Sequence, residues 1–320
     1  MIRQVSFRTI VIITSVLAFA ATIIFGVSYY TVSKLTFAGD YSIYGKNQSQ
    51  LADEIREELI KRPDVAQITI KSTDNLNLAG FLIVRPHAKA NMVLCHGYKS
   101  AKEFMYDMID MFPDFNLLMF DFRAHGKSDG SIISIGCHEY KDVIAAVDFM
   151  RSQIPERLPL VLHGISMGAA SILKATEVKP DLCDVLIVNS AFARLHTTML
   201  KSFSEKSGLP YYPFYPVVKT LFQYYAHCNV HDMSPEESVQ KIQQPIFFIH
   251  ACVDKLIAPC DAISLFANAQ NKDSRLWIGP RCRHATLHMY HTEIYKKKVM
   301  QFLKRTLPGI AKSLSSNARH

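Results

Sequence analysis

Two hydrophobic periods alternate along the chain. Short runs at Met92–Cys95, Leu117–Phe120, Leu160–His163, Val185–Val188, Ile246–Ile249 and Arg275–Ile278 read as buried strands. Stretches with helical spacing separate several of them, notably Glu139–Arg151, where Val143, Ala146, Val147 and Met150 recur on one side. Strands alternating with helices predict an α/β fold, a parallel sheet covered on both faces. Leu35–Arg62 reads as a tether and a helix with Leu51, Ile55, Leu59 and Ile60 on one face, ended by Pro63. Near the C-terminus, Lys296-Lys297-Lys298 falls in an amphipathic helix whose other face offers Ile294, Val299, Phe302 and Leu303. That basic face is expected to be solvated, with anionic lipid headgroups as the alternative partner.

The N-terminus breaks this alternation. No charge occurs from Thr9 to Tyr30, and a helix of that length reaches about 33 Å, enough for a bilayer core of about 30 Å. Tyr29 and Tyr30 would sit in an interfacial aromatic belt. The competing reading is a signal peptide, with Met1 to Arg8 as its charged start and Ala18-Phe19-Ala20 as its cleavage site. Apolar residues continue through Ala21–Val27, which favours an uncleaved anchor. Arg3 and Arg8 on one side, against Lys34 and Lys46 on the other, favour a cytoplasmic N-terminus and an exported, periplasmic or lumenal, domain. Asn47-Gln48-Ser49 would accept a glycan only in a eukaryotic lumen.

Gly164-Ile165-Ser166-Met167-Gly168 carries the strongest chemical signal. It follows a strand-like run and leads into Ala169–Ala175, which reads as a helix. A serine at the tip of such a turn stands above the sheet, and small flanking residues are needed because a Cβ at either glycine would clash. The Met167 amide, at a helix start, has no partner within the helix and can donate to an oxyanion.

A serine nucleophile needs a base, because its free hydroxyl is hardly ionised at neutral pH. Of the 13 histidines, His284 is the best placed, in a loop beyond the last predicted strand. Asp254, after the strand ending at His250, is the candidate orienter, with Asp261 and Asp273 as rivals. His163 and His250 read as hydrogen-bonded packing residues, and His96 and His125 as braces of their loops. His284, His288 and His291 have helical spacing but lack a carboxylate or cysteine at matching positions, so no metal site is expected. Arg281 and Arg283 either lower the basicity of His284, attract an anionic substrate group, or are simply solvated surface residues.

At these residues the chain resembles the α/β-hydrolase fold family, from about Ile68 to Leu303. The shared motifs are His96-Gly97-Tyr98, Asp121 to Ser128, the turn at Ser166, Val253-Asp254 and Arg283-His284-Ala285, in the family's order of nucleophile, acid and histidine. One departure is Ala251 after His250, where many relatives have glycine. The resemblance implies a mostly parallel central sheet with helices on both faces, opening with an antiparallel hairpin at Gln67–Ser72 and Gly80–Arg85. It also implies a second oxyanion donor, the Tyr98 amide, and no metal or organic cofactor. The expected organisation is a cytoplasmic N-terminus at 1–8, one transmembrane helix at 9–30, a tether and helix at 31–65, a hydrolase domain at 66–307 and a tail at 308–320.

Between the strands ending at Asn189 and beginning at Ile246 lies an insertion, about 190–244, read as a helical cap. Its aromatic run, Leu209–Pro216 followed by Leu221–Tyr225, either lines the site or only packs the cap onto the sheet. Together these features point to a membrane-anchored serine hydrolase acting on an ester, thioester or amide, with a lipid-like or other small acyl substrate as first expectation. Aminopeptidase-like and thioesterase members share the motifs, and a non-catalytic protein that keeps the fold is the alternative of another class. The net charge of +8 is dispersed rather than gathered in an aromatic-interleaved stripe, which argues against nucleic acid. Seven cysteines show no disulfide spacing, and protein partners are not legible.

Overall fold

Every residue of β3 (Ala90–Cys95), β4 (Phe115–Phe120), β5 (Leu160–Ile165), β6 (Val185–Asn189) and β7 (Ile246–Ala251) is buried, which is why these strands read as near-continuous apolar runs. The computed structural model describes residues 6–38, 48–154, 156–307 and 309–310. With β1 (Val65–Lys71), β2 (Asn77–Ile83) and β8 (Arg275–Gly279) these strands form one sheet of eight, ordered β1-β2-β4-β3-β5-β6-β7-β8. β2 runs antiparallel to β1 and β4, and all other pairs are parallel. The opening hairpin is present, but β2 starts earlier than the expected Gly80, because Lys71 pairs with Asn77 across a tight turn. There Ser72 Oγ accepts from the Leu76 amide at 2.9 Å.

Side chains alternate between two cores. In β3, Val93 and Cys95 enter one, and Met92 and Leu94 the other. In chain order the helices are α1 (Phe7–Thr36), α2 (Gln48–Leu59), α3 (Asp107–Met111), α4 (Glu139–Gln153), α5 (Met167–Val178), α6 (Leu195–Lys206), α7 (Tyr211–Ala226), α8 (Pro235–Ser238), α9 (Pro259–Asn268), α10 (Leu287–Tyr290) and α11 (Thr292–Thr306). The buried apolar residues of α4 to α7, with Leu265 of α9, lie in the first core, and those of α3 and α11 in the second.

Two expected apolar faces differ in detail. On α11 the buried residues are Tyr295, Val299, Phe302 and Leu303, whereas Ile294 is exposed, since a one-residue step turns a side chain about 100° away from the stripe. On α2, Leu59 is buried and Ile55 half-buried, but Leu51 and Ile60 are exposed. The helix also stops at Leu59, ahead of Pro63.

α1 is longer than the expected span. Ser6 caps it, its Oγ accepting from the Thr9 amide at 3.2 Å, and it continues past Tyr30 to Thr36. By length and composition it can cross a membrane, a property that signal sequences share. Residues 6–23 are exposed, while Ser28, Val32 and Thr36 are buried. At i, i+4 and i+8 they form one stripe, and Tyr225 of α7 meets Tyr29 and Phe37 on this side of the chain at 6.1 and 5.2 Å between ring centres. Asn47, Lys46, Arg3 and most of the expected tail lie outside the described residues.

Candidate active site

β5 ends at Ile165 and α5 begins at Met167, which leaves Ser166 alone at the turn with φ 54° and ψ −114°. Positive φ is costly for a residue with a Cβ. The Ser166 amide, donating to the Asn189 carbonyl at 2.8 Å, helps hold it. The flanking glycines are required sterically. A Cβ on Gly164 would lie 2.6 Å from the Ala169 backbone, and one on Gly168 2.3 Å from the Cys95 carbonyl oxygen.

The fold brings three distant side chains together at this turn. His284 Nε2 lies 2.8 Å from Ser166 Oγ, and its Nδ1 lies 2.6 Å from Asp254 Oδ2. Asp254 follows β7 and His284 follows β8, so both come from strand ends on the side of the sheet where β5 delivers Ser166. Asp254 Oδ1 accepts from the Leu256 and Ile257 amides at 2.9 and 3.0 Å. His250 Nε2 lies 3.4 Å from Asp254 Oδ2 and 2.9 Å from the Ile257 carbonyl. Burial raises the Asp254 pKa, but the His250 and His284 hydrogen bonds, the His284 charge and the Ile257 amide outweigh it. The carboxyl is therefore held well below the usual carboxylate range.

The rivals stand elsewhere. Asp261 sits in the first turn of α9 and Asp273 pairs with Arg305 at 3.1 Å. His284, His288 and His291 share no helical face, because His284 lies in the loop before α10.

The loop after β3 lies against the serine, since a Cβ on Gly97 would touch the Ser166 Cβ at 3.5 Å. Among the described residues, neither the Tyr98 nor the Met167 amide finds a protein acceptor. His96 and His125 brace this loop. The Phe122 amide donates to His96 Nε2 at 3.1 Å, and the Lys99 amide to His125 Nε2 at 3.0 Å. Both rings therefore act as acceptors at Nε2. Burial, with the neighbouring His125, lowers His96 to about 3, so it stays neutral. His163 and His250 are hydrogen-bonded core residues, His163 to the Tyr295 hydroxyl at 2.7 Å.

A cavity of about 790 Å³ opens over Ser166, within the size range of small-molecule sites. Its apolar wall includes Leu51 of α2, Tyr98, Phe104, Met105, Leu256, Met289 and Tyr290, with Glu54 and Arg283 among the charged residues. Arg281 and Arg283 are both exposed, and only Arg283 reaches this wall.

None of the cavity-lining residues comes from 190–244, so of the two readings of its aromatic run the packing one holds here. Tyr215 and Phe222 of α7 are buried in the first core, Tyr225 turns to α1, and Tyr211, Tyr212 and Tyr224 are exposed. The insertion is helical, and α7 packs against α1 while α8 packs against α5 and α9. The apolar wall comes from α2, from Tyr98, Phe104 and Met105 after β3, and from Leu256, Met289 and Tyr290. An apolar Leu51 beside polar Gln48, Gln50 and Glu54, and two large apolar residues shortly after His284, were the available signals.

A sheet of this order, with a serine at the strand–helix turn after β5, defines the α/β-hydrolase superfamily, and the chain is a member of it. The family model described as serine aminopeptidase, S33, matches residues 86–228, which takes in the loop after β3 and the Ser166 turn but stops short of Asp254 and His284. Bacillus subtilis YqkD, an uncharacterized protein, is 26% identical over 266 residues, 77% of this chain and 86% of the relative. The Arabidopsis thaliana α/β-hydrolase domain-containing protein WAV2 is 26% identical over 60% of this chain and 62% of its own. Among solved structures, the Pyrococcus furiosus esterase Pf2001 matches with a TM-score of 0.63 and 25% identity, covering 75% of this chain and 91% of that one. The chain is a hydrolase by fold and kinship.

Proposed function

We propose that this chain is a membrane-anchored serine hydrolase that cleaves carboxylic esters of lipid-like or other acyl substrates. The hydrogen-bond chain from Ser166 Oγ through His284 to Asp254 carries the reading. Ser166 Oγ attacks the acyl carbon as its proton passes to His284 Nε2, and the tetrahedral oxyanion accepts from the Met167 and Tyr98 amides. When the carbon–oxygen bond breaks, His284 returns the proton to the leaving alcohol. Water then adds to the acyl-enzyme by the same route and releases the acid. Asp254, ionised and doubly amide-bound, keeps the His284 ring oriented and offsets its positive charge in the transition state.

The ester preference is supported by the open apolar wall and by the likeness to an esterase structure. The description of the matched family model supports a second reading, hydrolysis of aminoacyl amides. α1 supports the anchor, and the basic residues before it favour an exported domain. The test is covalent labelling of the detergent-solubilised chain by a fluorophosphonate, beside Ser166→Ala and His284→Ala. Labelling of the wild type lost in both variants is expected, followed by faster turnover of medium-chain p-nitrophenyl esters than of acyl thioesters or aminoacyl anilides. An unlabelled, folded wild type would overturn the proposal, and faster cleavage of the anilides would favour the second reading.

A further inference from the structure

A helix ends with carbonyls that no later turn of its own can satisfy. At the end of α1 the Ser33 carbonyl accepts from the Phe37 amide at 3.2 Å, and the next three are met by the catalytic domain. Lys99 Nζ donates to the Lys34 carbonyl at 2.6 Å, the Tyr98 hydroxyl to the Leu35 carbonyl at 2.6 Å, and the Ile133 amide to the Thr36 carbonyl at 2.7 Å. Two of these three donors are consecutive residues of the loop that lies against Ser166. Tyr98 is also the residue whose free amide is the second oxyanion donor of the proposed reaction. A lysine at a helix C-terminus further complements the negative end of the helix dipole.

We propose that Tyr98 is a positioning residue that couples the anchor to the oxyanion hole, so that the seating of α1 in the bilayer sets the rate of acyl transfer. The proposal rests on the serine-hydrolase reading above. Its physical basis is leverage on a single short loop. The backbone leaves Gly97, presents the Tyr98 amide to the site, and turns through positive φ (49°) at Lys99. The Lys99 amide is fixed on His125, and the two side chains are fixed on α1. A shift of the helix end therefore moves the amide, and misplacement of about 1 Å in a catalytic constellation costs on the order of a hundredfold.

The bilayer reaches this helix end because of where α1 docks. The stretch from Phe7 to Val27, ahead of the first buried residue Ser28, spans about 30 Å at about 1.5 Å per residue. That only just matches the bilayer core of about 30 Å. A thicker bilayer therefore draws the docked segment beginning at Ser28 toward the boundary layer or reduces the tilt of the helix.

The test uses the full chain reconstituted in phosphatidylcholine vesicles with monounsaturated acyl chains of rising length, read by fluorophosphonate labelling and by ester turnover. The wild-type rate is expected to change several-fold across the series. In Tyr98→Phe, which keeps the ring and loses the bond, kcat is expected to fall about tenfold with KM within about twofold, and the dependence on chain length to flatten. Hydrogen exchange of the 97–100 amides, which needs no activity, is expected to rise in the variant. If Tyr98→Phe loses its cooperative melting, Lys99→Gln, which removes the neighbouring clamp, takes its place with the same expectations. Equal rates for wild type and variant, or a wild type indifferent to bilayer thickness, would overturn the coupling while leaving the hydrolase reading in place. A wild type that is never labelled would overturn both, and unchanged exchange would remove the clamp alone.

Discussion

Asp254 shows how much of the candidate chemistry depends on placement of a single carboxylate. It accepts from two amides and lies beside two imidazoles, His284 and the wholly buried His250. The first prediction is that Asp254→Asn lowers kcat by about 10³ to 10⁴ with little change in KM, because the amide favours the wrong His284 tautomer while preserving shape. Single-turnover kinetics on a p-nitrophenyl ester would measure it. Ser166 and its glycines were legible as a local pattern, because the steric demands of that turn arise within a few residues of chain. The pairing of His284 with Asp254 rather than with Asp261 was not legible in the same way. Both carboxylates follow the same strand, and only the path of the loop after Ala251 decides which one faces the imidazole.

Among the elements, α2 and the turn between β1 and β2 have the most specific consequences. Leu51 is the apolar residue that α2 contributes to the cavity, beside Gln48, Gln50 and Glu54, while Ala52 and Leu59 of the same helix are buried. Replacing it by Asp is expected to raise KM for octanoyl esters about tenfold, the worth of one well-buried leucine side chain, with acetyl esters unaffected. A parallel KM series on the two esters would check this. The β1–β2 turn is tied to the loop after β4 by Arg123, whose guanidinium donates to Asp74 at 2.7 and 3.0 Å and also pairs with Asp142. Burial alone would raise Asp74, but the hydrogen bonds from Arg123 and Ser72 pull it down to about 2. A depressed carboxylate contributes stability above its unfolded pKa of about 3.9 and loses it as pH falls through the folded value. Asp74→Asn is therefore expected to melt below the wild type at pH 7, by about 1 kcal/mol for this partly exposed pair. The gap should close between about pH 4 and pH 2, and thermal melts at several pH values would test it.

For the molecule as a whole, the contact between α1 and α7 joins the long apolar N-terminal helix to the hydrolase domain. Cleavage after Ala20 would leave Ser28, Val32 and Thr36 buried in place, so tight association by itself does not separate an anchor from a processed signal. Intact mass does. The expected result is the full 36.2 kDa chain in the membrane fraction after alkaline carbonate extraction, and a mature form beginning near Ala21 would replace the anchor by a docked helix.

The sequence alone determined the class of fold, the serine turn and the apolar N-terminal helix, because each is written in a short-range period or spacing that local sterics and burial impose. Tertiary structure decided what shares the space above Ser166. Residues from α2 and from the segment after His284 line that space, although they are far apart in the chain, while the aromatic insertion, for which the sequence left lining and packing both open, packs on α1. Helical or strand character is a property of neighbouring residues along the backbone. Which apolar face covers which site depends on competition among all such faces for the same surface, and that competition is resolved only when the chain is folded.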